Sequence, residues 1–570
     1  MLDMTLATSF VPGTNVKGKL AGNWTYLLPS LELDRMLCLG VPSEAALETF
    51  GRVSEQILVL SDQPKALAVL QRAGVPRVQG MVFNGRLPLP AHSLDLLFVG
   101  SEFDTAKLLH DGILLSELKR VLRPDGVVYF EHGGPATRGR LSETAQQFAQ
   151  QLGRPNLFWI TPMVGEMETA VPANDHQITS YFINKGLYSP AIVLPKRVPI
   201  VERTLEKTEK FVWKNKKLRQ YANRYGVLVG SADADLAVSP PRYLRQALDK
   251  VGLDGSNFRW GLIARGLYRS RKVIFFLFDQ QANTPKIVVK MTRGSEFNYR
   301  LENEFLGLSV LKEKGVGDAE VLPQPVFLEH HGGLALMGQT VIEGTPFQKQ
   351  TNKTADCPYA NIALNWLIDL SVKTADPLAA TPQQVARGLN DLYMQFASIY
   401  KLSQEERTFL ERQLLTLQTG NAPLPTVFQH GDPGTWNVLI TQTGRPAFLD
   451  WEASEPKGMP LWDLIYFLRS YCVGAARAQG VMDGQAGFEQ QFLQNSALSD
   501  LVVQTIERYC EAIDLPRVYW EPLFYTCWMH RALKEATRLT GSKLEKGNYL
   551  SLLRLCIAQR QSPTLTRLFG

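Results

Sequence analysis

A chain of 570 residues exceeds what one hydrophobic core usually organises, so two or three domains are expected. Its composition, 45% hydrophobic and 20% charged, is that of a globular protein, and a net charge of +6 gives no argument for nucleic acid as a partner. The cysteines (Cys38, Cys357, Cys472, Cys510, Cys527, Cys556) are far apart with no CxxC pair, which speaks against a zinc site or a disulfide frame and for free thiols in a reducing compartment.

The start, MLDMTLATSFVPGTNVKGK, lacks the basic-then-apolar pattern of a secretory leader. The densest apolar run, Val273 to Phe278, is far below the ~20 residues of a membrane-spanning helix, so a cytoplasmic location is expected.

Residues 1 to 190 alternate strand-like and helix-like segments, the signature of a doubly wound parallel α/β sheet. Strands are expected at Arg35 to Leu39, Gln56 to Leu60, Val78 to Phe83, Leu94 to Val99 and Val127 to Phe130. Helices are expected from Ala45, over Pro64 to Ala73 and over Leu114 to Leu122, with Arg123 to Gly126 as a turn. The order, with the phrases LPLPAHSLDLLFVG and LKRVLRPDGVVYFE, resembles a class I S-adenosylmethionine-dependent methyltransferase.

That resemblance implies a Gly-rich cofactor loop after the first strand and an acid at the end of the second. The corresponding loop is Leu39-Gly40-Val41-Pro42-Ser43-Glu44, in which Gly40 alone remains of the glycines. The acid's position falls on Ser61, with Asp62 beside it. Bulk and a fixed φ at Pro42, and charge at Glu44, make S-adenosylmethionine a doubtful cofactor.

Residues 191 to 239 read as a basic helical connector, dense in Lys and Arg between 196 and 225 with Phe211, Trp213 and Tyr221 interleaved. Such a run suits either a solvated interdomain helix or a helix on an anionic membrane surface.

From about 240 to 345 the pattern turns to β-hairpins. Gly261 and Gly266 in FRWGLIARGLY offer a glycine loop over phosphates, and VIFFLFDQQ and KIVVKM are two further strands. Lys290 ends the second of these and a helix rich in acids follows. A lysine there can reach the phosphates of a nucleotide while an acid fixes its ammonium, and Glu304, beside the apolar face of Leu301, Phe305 and Leu308, is the expected partner, with Glu302 second. Leu334 to Met337 is a strand and Gly338 to Gly344 a hinge.

Residues 346 to 570 are mainly helical except around VFQHGDPGTWNVLITQTGRPAFLDWEASEPKGMPLWD (Val427 to Asp463). Asp432 follows His430-Gly431, and Asn437 comes five residues after it, the interval between base and metal-binding Asn in a kinase catalytic loop. Two short strands about the turn at Gly444 deliver Asp450 to the side of Asn437, where a hard cation could be bound through oxygen.

HGDxxxxNxL, LDWE, Pro460 and Asp463 together resemble the aminoglycoside phosphotransferase and choline kinase superfamily. The resemblance implies a bilobal protein-kinase-like domain using ATP and Mg²⁺. Asp432 would orient or deprotonate an acceptor hydroxyl, Asn437 and Asp450 would hold the metal, and His430 and Asp463 would support the loop. The acceptor would be a small polar hydroxyl compound such as a sugar or amino-alcohol. Trp520, Phe524, Tyr525, Trp528, His530 and Arg531 fit either an acceptor pocket or core packing. A bifunctional methyltransferase-kinase and a non-catalytic nucleotide-binding scaffold are the alternatives.

Overall fold

A computed structural model describes residues 21–61, 77–100, 105–133, 142–162, 165–188, 211, 224–230, 236–266, 268–377 and 381–570. Asp62, the helix expected over 64–73 and most of the basic run at 196–225 lie outside the described residues. The chain divides into two compact units, a sheet unit (Lys17–Leu301 with Val326–Val341) and a helical unit containing Glu302–Pro325 and Ile342–Gly570.

The sheet unit is built on thirteen strands: β1 (Leu33–Leu39), β2 (Ser54–Leu60), β3 (Val78–Met81), β4 (Leu94–Val99), β5 (Leu122–Gly133), β6 (Arg154–Thr161), β7 (Thr169–Pro172), β8 (Arg224–Gly230), β9 (Phe258–Ile263), β10 (Val273–Asp279), β11 (Ile287–Met291), β12 (Pro325–His331) and β13 (Leu334–Thr340). Their order is β12-β13-β11-β10-β9-β7-β6-β8-β5-β4-β1-β2-β3. The run β3-β2-β1-β4-β5 is parallel throughout, the Rossmann-like order of a methyltransferase-type sheet. Both faces of β1 are covered, which is why it reads as an apolar run rather than an alternation: Met36 and Cys38 join one core, Leu37 and Leu39 the other. On the first face Trp24 lies flat against Phe98 and Tyr129, at ring separations of 4.9 and 4.3 Å.

Three features depart from the sequence reading. Arg123 to Gly126 is absorbed into β5 through a register shift opposite Leu94–Leu96 rather than forming a free turn. Gly126 permits this, since a Cβ there would lie 2.9 Å from the Leu94 carbonyl oxygen. Arg224–Gly230, inside the expected helical connector, is a strand paired antiparallel with both β5 and β6; Val227, Leu228 and Val229 are buried on its two faces. Its first residue is no loose surface cation, because Arg224 donates to the carbonyls of Pro162 and Gly165 and ion-pairs with Glu131. Finally, β13 extends to Thr340, so the hinge shortens to residues 341–344.

Strand pairing continues from the parallel sheet into the antiparallel hairpins, through Thr169↔Ile263 and Ala170↔Leu262 between β7 and β9. Trp260 on β9 is fully buried and packs edge-on against Phe158 of β6 at 5.5 Å. One hydrophobic core therefore runs from Met36 to Leu336.

The helical unit surrounds three small β pairings with the long helices Pro358–Thr374, Pro382–Ile399, Gln404–Thr419, Trp462–Ala478, Ala497–Ala512, Trp520–Ala536 and Asn548–Ala558. Thr381 and Ser403 close capping boxes with Gln384 and Glu406, so two of these helices begin where their sequences say they should. All six cysteines are free and buried. Among the described residues, no helix is long and apolar enough to cross a membrane.

Candidate active site

Strands Val438–Ile440 and Pro446–Phe448 form a hairpin whose register, Val438↔Phe448 to Ile440↔Pro446, puts Asn437 and Leu449 opposite one another at its open end. The Leu449 N–H closes the pair on the Asn437 carbonyl at 2.8 Å. Asp450 follows in a left-handed conformation (φ 69°), a backbone state that asparagine and aspartate tolerate better than most residues. Val427–Gln429 pairs with Glu455–Gly458, so the segment entering the acidic loop and the segment leaving the hairpin are tied together.

His430 joins loop and hairpin. Its Nδ1 accepts the Asp432 N–H at 3.2 Å, which leaves the ring proton on Nε2 to donate to the Leu449 carbonyl at 3.0 Å. Burial holds the imidazole down at about 4 in spite of nearby Asp432 and Asp450, so it is neutral at physiological pH. Trp451 packs on it at 4.3 Å.

Asp463, in the first turn of helix Trp462–Ala478, receives the N–H groups of His430 (2.5 Å) and Gly431 (3.1 Å) on its two oxygens. Burial outweighs those donors and pushes its carboxyl up to about 7. Asn303, on helix Asn298–Glu313, braces the other side by donating to the carbonyls of Glu452 and Ser454 at 3.0 and 2.8 Å.

At the centre, Asp432 is engaged on both oxygens. Oδ1 takes Arg531 Nη2 at 2.8 Å, and Oδ2 lies 3.3 Å from the Asn437 amide nitrogen. Burial works against ionisation of Asp432, but the Arg531 guanidinium prevails and holds the carboxyl below the usual carboxylate range. Its side chain is 35% exposed, so it remains reachable from solvent. The Asn437 amide N–H₂ is spent on Asp432, including its backbone carbonyl at 2.9 Å, which leaves the amide oxygen free of that bond. An amide oxygen and carboxylates held on bonded backbone are the hard donor set that suits Mg²⁺.

Arg531 comes from helix Trp520–Ala536 and was one of several residues offered for a pocket; the others behave differently. Phe524, Tyr525 and Trp528 are core, and His530 is buried against Trp462 at 4.7 Å. Arg531 also donates to the Gly431 carbonyl at 2.7 Å and lies over the Tyr466 ring at 3.6 Å. The Tyr466 hydroxyl meets that of Tyr549 at 2.9 Å. Tyr466, Tyr549, Arg469 and Asn303 went unnoticed in the sequence. The available signal was the basic i, i+3 pair Arg531/Lys534 on the largely buried helix Trp520–Ala536.

The remaining expected residues belong to other elements. Lys290 stands on β11 with 8% exposure, and Glu304 is fully buried in the helical unit. Gly266 lies in the loop after β9 with φ 115°. Gly261 does not line a phosphate loop: it is inside β9, and a Cβ there would meet Val171 and Phe182 at 2.8 and 2.9 Å, so its small size serves packing of the sheet. Gly40 follows β1 with φ 94°, and Ser43 caps helix Glu44–Val53 through the Ala46 N–H.

A neutral histidine pinning an Asp-bearing loop to a metal-type hairpin, in a chain whose preceding segment forms antiparallel strands, is the build of a kinase-type phosphotransferase. Residues 275–494 match the model of the phosphotransferase enzyme family. Among solved structures, the chain is similar to the bifunctional kinase-methyltransferase WbdD, at 12% identity over 92% of this chain and 88% of that one, with a TM-score of 0.26. It is similar to the aminoglycoside phosphotransferase APH(3'')-Id of Streptomyces rimosus, solved with ADP and streptomycin, at 15% identity over 46% of this chain and 90% of that one (TM-score 0.29). A putative methyltransferase from Pseudomonas syringae matches at 18% identity over 24% of this chain and 85% of that one (TM-score 0.20). No curated protein matches.

Proposed function

We propose that the protein transfers the γ-phosphoryl group of ATP to a hydroxyl of a small polar acceptor, with Asp432 as the residue facing that hydroxyl. The observation that carries this reading is the double engagement of Asp432. With Oδ1 on Arg531 and Oδ2 meeting the Asn437 amide only at 3.3 Å, Oδ2 keeps a lone pair with which to take the hydroxyl proton. The acceptor oxygen then bonds to the γ-phosphorus while the bond from that phosphorus to the bridging oxygen breaks, and ADP departs with the electron pair.

Asn437 and Asp450 would hold Mg²⁺, which when bound supplies charge neutralisation on the phosphates. Lys290 and Glu304 are assigned to the triphosphate on the strength of their strand and helix positions. His430, Asp463 and Arg531 keep the loop in register without touching the nucleotide.

Release of ADP in the presence of ATP, Mg²⁺ and a panel of polyols and sugars tests this. Asp432→Asn is expected to lower acceptor-dependent turnover by about 10²–10⁴-fold. Equal rates in wild type and variant would remove the proposed base.

A further inference from the structure

Arg469 lies two turns into helix Trp462–Ala478, eight per cent exposed, and its guanidinium makes no hydrogen bond or ion pair among the described residues. The Tyr549 ring lies 5.3 Å from its Cζ. The same ring lies 5.5 Å from Arg531 on the way to Asp432. Glu535 is close enough for the Arg469 charge to favour its carboxylate, but no ion pair joins them, burial pushes the Glu535 carboxyl up, and one of its oxygens is taken by the Tyr549 N–H at 3.0 Å. A charge nine-tenths buried without a direct ion pair is costly, and an anion that bonds the guanidinium recovers part of the cost.

The surroundings fit such an anion. Arg531 is partly used on Asp432, but its Nε is buried without a partner. Lys534 lies 3.5 Å from the Gly431 carbonyl. Of the carboxylates nearby, Asp432 is committed to Arg531 and Asp463 to two backbone N–H groups, and Glu455 faces Lys534. Trp436, 50% exposed, stands edge-on to Tyr466 at 6.0 Å and gives a flat apolar face beside the acidic loop. Flat aromatic surface suits the face of a sugar ring, and guanidinium forks match carboxylate or phosphate geometry.

Resting on the phosphotransferase reading, we infer that Arg469 and Arg531, with Tyr466, Tyr549 and Trp436, form an acceptor subsite for a hydroxyl compound bearing a carboxylate or phosphate ester, such as an acidic sugar. An amine-bearing acceptor would meet two like charges there.

The full chain with ATP and Mg²⁺ is offered glucuronate, glucose 6-phosphate, glucose and glucosamine, and kcat/KM is read for each. At least one acid is expected to exceed glucose by about tenfold or more, with glucosamine lowest, as a charge-assisted bond in a buried site implies; which acid wins separates carboxylate from phosphate. In Arg469→Met the ratio of acid to glucose is expected to fall by about tenfold, and Arg469→Lys to recover part of it. Glucosamine matching the acids, or Arg469→Met lowering all acceptors by one factor, would overturn the subsite and leave the phosphotransferase reading intact. Should no compound be phosphorylated, that reading fails. The subsite is then judged by quenching of tryptophan fluorescence on titration with glucuronate and glucose 6-phosphate. Saturable quenching lost in Arg469→Met upholds it, and its absence in the wild type overturns it.

Discussion

His430 shows how a single side chain can set the pH range in which a site stays assembled. Its folded form is neutral down to about 4, whereas an unfolded chain takes up the proton near 6.5. Between those values the unfolded state binds more protons, so this contribution to stability is complete above 6.5 and is lost as pH falls toward 4. Two and a half units correspond to about 3 kcal/mol for this fully buried ring. Asp463 acts in the opposite sense: its raised carboxyl gives stability at low pH that is lost as pH rises through about 7. The wild-type profile mixes both, and His430→Gln isolates one. Urea unfolding at pH 7.5 and pH 4.5 is expected to show the stability difference between wild type and His430→Gln shrinking by up to about 3 kcal/mol at the lower pH. A difference constant across that range would mean that the ring is not held neutral by burial.

The acidic loop depends as an element on one backbone conformation. Gly431 has φ 77°, and a Cβ there would lie 2.0 Å from the Ala453 carbonyl oxygen, an approach that no side chain can make. Gly431→Ala must therefore move either the loop or the turn Trp451–Ala453, with Asp432 on one and Asp450 just before the other. A loss of about 2 kcal/mol or more in stability is expected, with turnover falling further than the melting temperature alone explains. Calorimetric melting paired with the ADP-release rate reads both. This element was legible because its logic is local: His430, Asp432, Asn437, Asp450 and Asp463 fall within one short stretch whose turns and strands are marked by Gly431, Gly444 and apolar triplets. The bond from Arg531 to Asp432 was not, because it spans 99 residues. The strand β8 escaped for a similar reason: it pairs antiparallel with β5 and β6 across long separations, and it follows a basic run whose charge suggested a helix; β6 and β7 form a local hairpin, but β7 is only four residues long. Gly261 was misread because a glycine that yields to a packed phenylalanine looks the same in sequence as one that yields to phosphate.

At the scale of the whole chain, the sheet unit does not respect the boundary that composition suggests near residue 240. β9 pairs with β7, Ala264 N–H reaches the Glu168 carbonyl at 2.7 Å, and Arg52 donates to the Arg293 carbonyl at 2.7 Å. The Tyr243 hydroxyl bonds the Tyr26 carbonyl at 2.9 Å, and Arg293 reaches Asn23 at 3.3 Å. A fragment beginning at residue 240 would keep every residue of the phosphotransferase-family match, 275–494, yet uncover the pairing edge of β9 and the face of Trp260. An unpaired apolar strand edge recruits other chains, so that fragment is expected to aggregate where the full chain stays monodisperse in size-exclusion chromatography. The milder form of the same test leaves the chain whole: Trp260→Ala should cost about 3–5 kcal/mol by opening the core between Phe158 and Phe275. Because one core includes Met36 and Leu336, hydrogen exchange should then accelerate in β1 and β4 as well as in β10 and β11. Acceleration confined to β9–β11 would show that the parallel sheet and the antiparallel hairpins unfold as separate bodies despite their shared strands.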